Sequence, residues 1–225
     1  MKRNSVQRRV YSVLRKDILL VVCSLWLVAC LGCAKREIRN VDSRGTNIIC
    51  FGDSITFGYG AQTQESYPVV LSKMIQIPVI NAGIDGDTTA EALRRFDSDV
   101  LERDPLLVII EFGGNDFLRK IPKEVTVKNV KEMVERAQAK GAMVAIVDIS
   151  AGMFLGEYRT AFYNLAKEKE AIFIPRILSN IITNPSLKSD FLHPNAEGYK
   201  IVTQRIYRGI MAYLNQNTVL KRIAR

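Results

Sequence analysis

Short apolar runs recur along the chain and alternate with longer amphipathic stretches. Each run is rich in β-branched and other aliphatic residues with almost no polar interruption, which is typical of a parallel strand covered on both faces. Five such runs are present, at residues 47–51, 78–81, 106–112, 143–149 and 171–174. They predict five buried strands.

The stretches between the runs carry apolar residues three and four positions apart, as one face of a helix does. They predict helices over residues 67–76, 88–103, 126–140, 157–168 and 196–215, with Gly141 as a C-cap of the third. Strands and helices in strict alternation predict an α/β fold, a three-layer α/β/α sandwich around a five-stranded parallel sheet. In such sheets the functional site forms beyond the carboxyl ends of the strands.

The chain has 225 residues and a formal net charge of +9, and this length fits one domain with an appendage. Residues 1–29 carry six Lys and Arg against one acid, so they hold +5 of the charge and leave +4 for the rest. That remainder is mild, and no basic run interleaved with aromatic residues indicates a nucleic-acid surface. We therefore expect no nucleic-acid partner.

The N-terminal segment has the pattern of a targeting signal. A positive stretch ends at Lys16, and the apolar stretch 18–29 that follows is shorter than the roughly 20 residues needed to span a bilayer. It ends in Leu27-Val-Ala-Cys30, which resembles a bacterial lipobox and makes Cys30 the candidate lipidation site. Cys33 is a second candidate without the aliphatic residue three positions upstream. An uncleaved anchor and an ordinary secretory signal are the alternatives.

These features predict a signal peptide of the lipoprotein type at 1–29, a lipidated tether at 30–45, a folded domain at 46–217 and a basic tail at 218–225. A lipid anchor would hold the domain at a membrane surface rather than across it. We expect the bacterial cell envelope, with the chain anchored on the outer-membrane or periplasmic side or secreted to the periplasm. The four cysteines have neither a disulfide pattern nor a Cys/His metal spacing, so no metal site is predicted.

Polar clusters follow the predicted strands at the edge where a site should form. Ser54 comes directly after the first strand, and His193 is the single histidine of the chain. A serine hydroxyl needs a general base before it can act as a nucleophile, and histidine suits that role best. Asp190 lies three residues before His193 and could orient its ring. Asp190 could instead cap the last helix, although Asn195 is an equally good cap.

An oxyanion that forms at Ser54 would need hydrogen-bond donors. The candidates are the Ser54 N–H, the N–H of Gly86 on a tight turn, and the side-chain amide of Asn115, which follows two glycines. A plain β-turn and a tight loop are the alternative readings of the latter two. Asp53 is interpreted as a structural acid that holds the turn. No serine lies in the Gly-x-Ser-x-Gly pattern of the α/β-hydrolase nucleophile elbow.

Four of these clusters resemble, in order, the sequence blocks of the SGNH (GDSL-type) hydrolases. They are GDSI at 52–55, NAGIDGDTT at 81–89, GGND at 113–116 and DFLHP at 190–194. The resemblance implies a flavodoxin-like sandwich and a serine hydrolase that needs no metal or organic cofactor. It implies that Ser54 is the nucleophile, that Asp190 and His193 complete a triad, and that Ser54, Gly86 and Asn115 form the oxyanion hole.

Within that family the chain is most similar to the bacterial thioesterase/lysophospholipase/arylesterase branch. It departs from many of that branch at Tyr67-Pro68, where a tryptophan commonly precedes the proline, and this bears on the shape of the acyl pocket. The expected activity is hydrolysis of carboxylic ester or thioester bonds. The alternatives are a carbohydrate O-acetylesterase acting on envelope glycan and a non-catalytic binding lipoprotein.

The apolar segments 112–121 and 149–157 could hold an acyl chain or could equally belong to the core. The expected partners are a small-molecule or lipid ester substrate and, through the lipid anchor, a membrane surface. We expect a monomer.

Overall fold

The computed structural model describes residues 37–150 and 155–223. Its strands are β1 (Asn47–Gly52), β2 (Val79–Gly83), β3 (Pro105–Glu111), β4 (Met143–Val147) and β5 (Ile172–Ile174). Its helices are α1 (Ser54–Phe57), α2 (Tyr67–Met74), α3 (Thr89–Asp99), α4 (Gly114–Leu118), α5 (Lys123–Ala139), α6 (Gly156–Glu168), α7 (Ala196–Leu214) and α8 (Thr218–Ile223). Single 3₁₀ turns cover Thr63–Glu65, Leu101–Arg103 and Pro185–Leu187.

The five strands form one sheet in the order β2-β1-β3-β4-β5, and every neighbouring pair is parallel. The predicted strands are confirmed to within two residues at each end. The predicted helices are confirmed to within four residues. The α/β sandwich predicted from the apolar pattern is therefore confirmed.

Helices cover both faces of the sheet, because side chains of successive strand residues point to opposite sides. On one face Ile48 and Cys50 of β1 pack with Tyr67 of α2 and with Tyr199 and Ile206 of α7. On the other face Ile49 and Phe51 pack with residues of α3, α5 and α6, among them Phe96, Met133 and Phe162. Burial on both faces explains why the strand sequences are continuously apolar rather than alternating.

The strand order places the predicted site at a topological switch point. The chain moves from β1 to β2 on one side and then crosses to β3 on the other side of β1. Loops that leave the carboxyl ends of β1 and β3 therefore diverge and leave a crevice between them. Ser54 follows β1 and Asn115 follows β3, so both residues flank this crevice.

The predicted tether extends too far, because residues 37–45 pack on the domain. Ile38 is buried in the core, and the Arg39 N–H donates to the Glu170 carbonyl at 2.9 Å. The Asn40 side chain donates to the carbonyls of Gln138 and Ala142 at 2.8 and 3.0 Å. The segment has two apolar contacts with the core, Ile38 and Val41, and otherwise relies on hydrogen bonds, so it is too sparsely apolar to show a period.

The predicted tail is also incorrect over most of its length, since Thr218–Ile223 forms α8. The Thr218 N–H donates to Asp42 Oδ1 at 2.7 Å, and the buried Asn217 side chain donates to the Ser43 carbonyl at 2.9 Å. The folded domain therefore includes residues 37–45 and 218–223. Within the described ranges, no helix is long and apolar enough to cross a membrane.

Candidate active site

Ser54 begins α1 at the carboxyl end of β1. The Asp53 side chain caps this short helix, because its Oδ1 accepts from the Ile55 N–H at 3.2 Å. The serine is 8% exposed, and it lines the crevice. The helix ends at Gly58 in the left-handed region, one turn after it begins.

The loop before α7 brings His193 and Asp190 to Ser54. His193 Nε2 lies 3.0 Å from Ser54 Oγ, and His193 Nδ1 lies 2.8 Å from Asp190 Oδ2. Ser54 and His193 are 139 positions apart in the sequence, whereas Asp190 and His193 are only three positions apart. The structure thus brings together the serine, the histidine and the acid that the sequence singled out.

Local contacts hold the histidine in place. Its carbonyl accepts from the Ser189 N–H at 2.9 Å, and its ring lies against that of Tyr59 with centroids 4.5 Å apart. Asn195 caps α7 by accepting from the Gly198 N–H at 3.1 Å. Asp190 therefore does not cap α7, which was the alternative role considered for it. Its Oδ1 instead accepts from the His193 N–H at 2.9 Å.

The charge of Asp190 sets the tautomer of His193. Partial burial raises the pKa of Asp190, but hydrogen bonds from the Leu192 N–H and from His193 outweigh it, so the pKa lies below its ordinary value. An ionised carboxylate only accepts hydrogen bonds, so Nδ1 of the histidine carries the proton. Nε2 of the neutral ring is then an acceptor, and it faces the Ser54 hydroxyl.

Gly86 lies on a tight turn next to the crevice. Its φ is +78°, a conformation that favours glycine, and the turn is closed by a hydrogen bond from the Asp87 N–H to the Ile84 carbonyl at 3.3 Å. Arg119 fixes the turn from the other side by donating to the Gly86 carbonyl at 2.8 Å. The Gly86 N–H has no acceptor among the described residues, so it can donate to a ligand.

Asn115 lies in the first turn of α4 and lines the crevice. Its side-chain amide donates to the Asp87 carbonyl at 3.0 Å and to Asp53 Oδ2 at 3.3 Å, so it joins the turn of Gly86 to the cap of Ser54. The next residue, Asp116, is fully buried and fastens α4 to α3 by accepting from the Thr89 N–H at 2.9 Å. The three oxyanion candidates are thus neighbours.

Two buried acids, Asp53 and Glu111, form a second feature of the site, called the buried pair below. Burial raises the pKa of Asp53, and burial followed by the charge of Asp53 raises the pKa of Glu111 well above its ordinary value. Glu111 Oε2 accepts from the Thr56 hydroxyl at 2.8 Å, whereas Oε1 has no hydrogen-bond partner within the described part of the chain. Gly52 makes room for this arrangement, since a Cβ there would lie 2.7 Å from Glu111 Oε2.

A cavity of about 400 Å³ opens beside Ser54 and His193. Its walls are mainly apolar and come from four loops and helices: Ile55, Phe117, Leu118, Ile149, Leu155, Leu178, Ile182, Phe191 and Leu192. Both segments that the sequence suggested for an acyl chain contribute to it, although Met153 and Phe154 lie outside the described residues. Within the described ranges no group of three or more His, Cys, Asp or Glu side chains could hold a metal ion.

Comparison with known proteins shows which family has this sequence and fold. The GDSL-like Lipase/Acylhydrolase family matches residues 50–201. An arylesterase from Vibrio mimicus is 29% identical over 202 residues, which cover 85% of this chain and 98% of that protein. The chain belongs to the GDSL-like lipase/acylhydrolase family. The resemblance drawn from its four sequence blocks is confirmed, and the chain is a hydrolase of ester bonds.

Further relatives of this hydrolase agree in sequence and in fold. The thioesterase 1/protease 1/lysophospholipase L1 of Escherichia coli (strain K12) is 25% identical over 179 residues, which cover 76% of this chain and 86% of that protein. The crystal structure of the psychrotrophic esterase EstA from Pseudoalteromonas sp., inhibited by monoethylphosphonate, is 29% identical with a TM-score of 0.68. That likeness covers 76% of this chain and 99% of the other.

The sequence reasoning missed several residues around the hydrolase site. Leu178 and Ile182 line the cavity from a loop without regular structure, and Tyr59 lies on the histidine. The sequence places Glu111 in a predicted strand and assigns it no role in the site, because one acid at the end of an apolar run does not by itself indicate a function. The candidate lipidation site Cys30 lies outside the described residues.

Proposed function

We propose that this hydrolase is a serine esterase that cleaves carboxylic ester or thioester bonds through Ser54, His193 and Asp190. The observation that carries the proposal is the 3.0 Å contact between His193 Nε2 and Ser54 Oγ, with Asp190 2.8 Å from Nδ1. This is the arrangement in which a histidine can take the serine proton while an acid stabilises the resulting imidazolium.

Acyl transfer would then proceed in two steps. His193 takes the Ser54 proton as the hydroxyl attacks the carbonyl carbon, and it gives that proton to the leaving alcohol or thiol. It next takes a proton from water, which attacks the acyl-serine, and returns that proton to Ser54 Oγ as the acid is released. The Ser54 N–H, the Gly86 N–H and the Asn115 amide are the donors for the oxyanion in both steps.

The size and lining of the cavity favour a substrate whose acyl group is longer than acetyl. Nine of its lining residues are aliphatic or aromatic, and a volume of about 400 Å³ is large for an acetyl group alone. Each buried methylene of a substrate gains about 0.8 kcal/mol, so esters with a medium chain should be preferred to acetate esters. A carbohydrate O-acetylesterase would show the opposite preference.

The test is a series of p-nitrophenyl esters from acetyl to palmitoyl, with thioesters of the same acyl groups. We expect kcat/KM to rise with chain length until the cavity is filled, and Ser54→Ala and His193→Ala to abolish turnover while the circular dichroism spectrum is unchanged. Ser98→Ala, which changes a serine exposed on α3, is the matched control. A sharp acetyl preference would favour the glycan esterase, and wild-type turnover by Ser54→Ala would refute the assignment.

A fluorophosphonate probe separates an enzyme from a binding protein directly. An activated serine attacks the probe and keeps the fluorescent label, whereas an ordinary serine does not react. We expect labelling of the wild type and of Ser98→Ala but not of Ser54→Ala. Absence of labelling in all three would support a non-catalytic lipoprotein.

We also propose that the chain is a lipoprotein of the bacterial cell envelope, attached to a membrane surface through Cys30. The support is the leader, in which a basic stretch and a short apolar stretch precede Leu27-Val-Ala-Cys30. Metabolic labelling with palmitate tests this. We expect Cys30→Ser to lose the label and the detergent-phase partition, and the matched variant Cys33→Ser to retain both.

A further inference from the structure

The side-chain amide of Asn115 has no free N–H in this structure. Its nitrogen carries two hydrogens, and it makes two hydrogen bonds, to the Asp87 carbonyl at 3.0 Å and to Asp53 Oδ2 at 3.3 Å. If Asn115 is an oxyanion donor, as the proposed function assumes, it must give up one of these bonds during catalysis. The longer bond, to Asp53, is the one that can be exchanged at the lower cost.

The cost of that exchange depends on how strongly Asp53 accepts. A hydrogen bond to a full carboxylate is roughly twice as strong as one between neutral groups. Asp53 is 2% exposed, and no Lys, Arg or His side chain in the described residues bonds to it. If Asp53 carried a full negative charge, its carboxylate would bind the Asn115 amide strongly. It would also repel an oxyanion that forms beside it.

Glu111 can weaken the negative charge of Asp53 if it is protonated and donates a hydrogen bond to that carboxylate. Its Oε2 accepts from the Thr56 hydroxyl, which in turn receives the Tyr67 hydroxyl proton across 3.1 Å, because Thr56 has only one hydrogen to give. Oε1 is buried and receives no hydrogen bond from the described residues. An ionised Glu111 would leave half a charge on Oε1 without a partner, so Oε1 is the natural place for a proton.

The titratable side chains that face the buried pair favour retention of this proton, whereas hydrogen bonds from nearby hydroxyl and backbone N–H groups oppose it. Tyr67 of α2, Cys50 of β1 and Tyr199 of α7 are neutral neighbours, and Asp116 of α4 is a further acid. Two adjacent carboxyl groups in the interior cannot both ionise without a cation, so one proton is shared between them. The side chains of Glu111 and Asp53 are close enough for a hydrogen bond between them to affect the pKa of each, so the Asp53 carboxylate is the acceptor to which we assign this proton.

We propose that neutral Glu111 is a positioning residue: it donates its proton to Asp53 and keeps that carboxylate a weak acceptor, so that Asn115 can transfer one amide N–H from Asp53 to the oxyanion. Glu111 itself touches neither substrate nor Ser54 Oγ. The inference rests on the proposed function, since it assumes that Asn115 stabilises an oxyanion.

The test is a double-variant cycle on the full-length chain in detergent, with a medium-chain p-nitrophenyl ester. Glu111→Met removes the proton donor at similar size and should lower kcat by about 30-fold with little change in KM, which is less than the roughly 10² to 10³-fold found for outright loss of one oxyanion donor, because Asn115 is still present. In an Asn115→Ala background the same change should lower kcat by less than about 3-fold, because the two residues act through one interaction. Full effects in both backgrounds would overturn the proposal.

Glu111→Gln is the conservative variant that a merely structural role would not single out. Its carbonyl can accept from Thr56 and its amide can donate to Asp53, as the protonated acid does, so kcat should stay within about 3-fold of the wild type. A loss as large as that of Glu111→Met would show that the charge of Glu111 is needed and would overturn the proposal. This result decides the matter even if Glu111→Met fails to fold.

Two controls separate the possible failures. Thr203→Val removes a buried hydroxyl of α7 whose single hydrogen bond within the described residues is to the Tyr199 carbonyl at 2.8 Å, and its small effect should be the same with and without Asn115. Ser54→Ala must be inactive. If Ser54→Ala is active, the proposed function itself is wrong, whereas an inactive Ser54→Ala with an additive Glu111 cycle would overturn only the role of Glu111.

Discussion

Asp190 with His193, the surface pair, and Asp53 with Glu111, the buried pair, place carboxyl groups near Ser54 in opposite surroundings. In the surface pair the acid side chain is 43% exposed and the histidine 16%, and backbone N–H groups and the ring all donate to the acid. In the buried pair both residues are nearly or wholly inaccessible, and no cation bonds to them in the described residues. The first acid is therefore ionised, and the second pair keeps a proton.

The difference shows that the residue type does not determine the role of an acid in this site. Hydrogen-bond donors and water stabilise the charge of Asp190, which then selects the tautomer of His193. Burial opposes the charge of Glu111, so that in our proposal its protonated oxygen donates to Asp53 while its other oxygen accepts from Thr56. The predictions below test whether the two pairs differ in this way, beginning with the largest effect.

Asp190→Asn should separate activity from stability. The amide retains an acceptor for the Leu192 and His193 N–H groups, but it cannot stabilise an imidazolium and favours the wrong tautomer, so kcat should fall by about 10³ to 10⁴-fold. The free energy of unfolding should change by less than about 1 kcal/mol because the site is exposed. Ester kinetics and urea unfolding measure the two quantities. A fall of less than tenfold in kcat would mean that another acid orients His193.

The two pairs should also affect stability with opposite pH dependence. The pKa of Asp190 is depressed in the folded chain, so its stabilising contribution is present above its ordinary value of 3.8 and is lost as the pH falls through the folded value. The pKa of Glu111 is raised above 4.5, so the native state holds a proton that the unfolded state releases. Its contribution therefore weakens as the pH rises above 4.5.

Glu111→Gln should remove the second of these dependences. For one such group the free energy of unfolding falls by up to about 1.4 kcal/mol for each pH unit between its unfolded and folded pKa values. The wild type should therefore lose more stability than the variant as the pH rises above 4.5, as measured by urea unfolding. Parallel losses in the two proteins would show that Glu111 is ionised in the folded state.

Long periodic segments of this fold could be predicted from the sequence, and features made by tertiary contact could not. The last large helix was predicted at 196–215 and lies at Ala196–Leu214, because its apolar positions repeat over five turns. The helix Ser54–Phe57 has a single turn and no period, and it forms because Asp53 caps it. Residues 37–45 and α8 stabilise each other by hydrogen bonds between the two ends of the domain, which no local pattern reveals.

The same distinction holds in the site. Asp190 and His193 lie within one short motif, and Ser54 follows a strand, so their meeting could be inferred from strand ends and from the family resemblance. Glu111 is the last residue of β3, and its partner Asp53 directly follows β1, 58 positions earlier in the chain. Only the parallel register, which pairs Gly52 with Glu111, brings the two acids together.

The smallest predicted effect is on acyl-chain preference, and it comes from a phenylalanine at the rim of the apolar cavity. Phe191 is 74% exposed at the rim, between the acid and the histidine of the surface pair, and it contributes to the cavity. Phe191→Ala should therefore lower kcat/KM for an octanoyl ester by about 4 to 15-fold, equivalent to one or two methylene groups left in water, and change the acetyl ester far less. Phe57 is also exposed, at 51%, but does not line the cavity, so Phe57→Ala should leave both values unchanged. Equal losses on both esters from Phe191→Ala would instead indicate that the ring positions the loop of Asp190 and His193, and the surface pair would then depend on packing as the buried pair does.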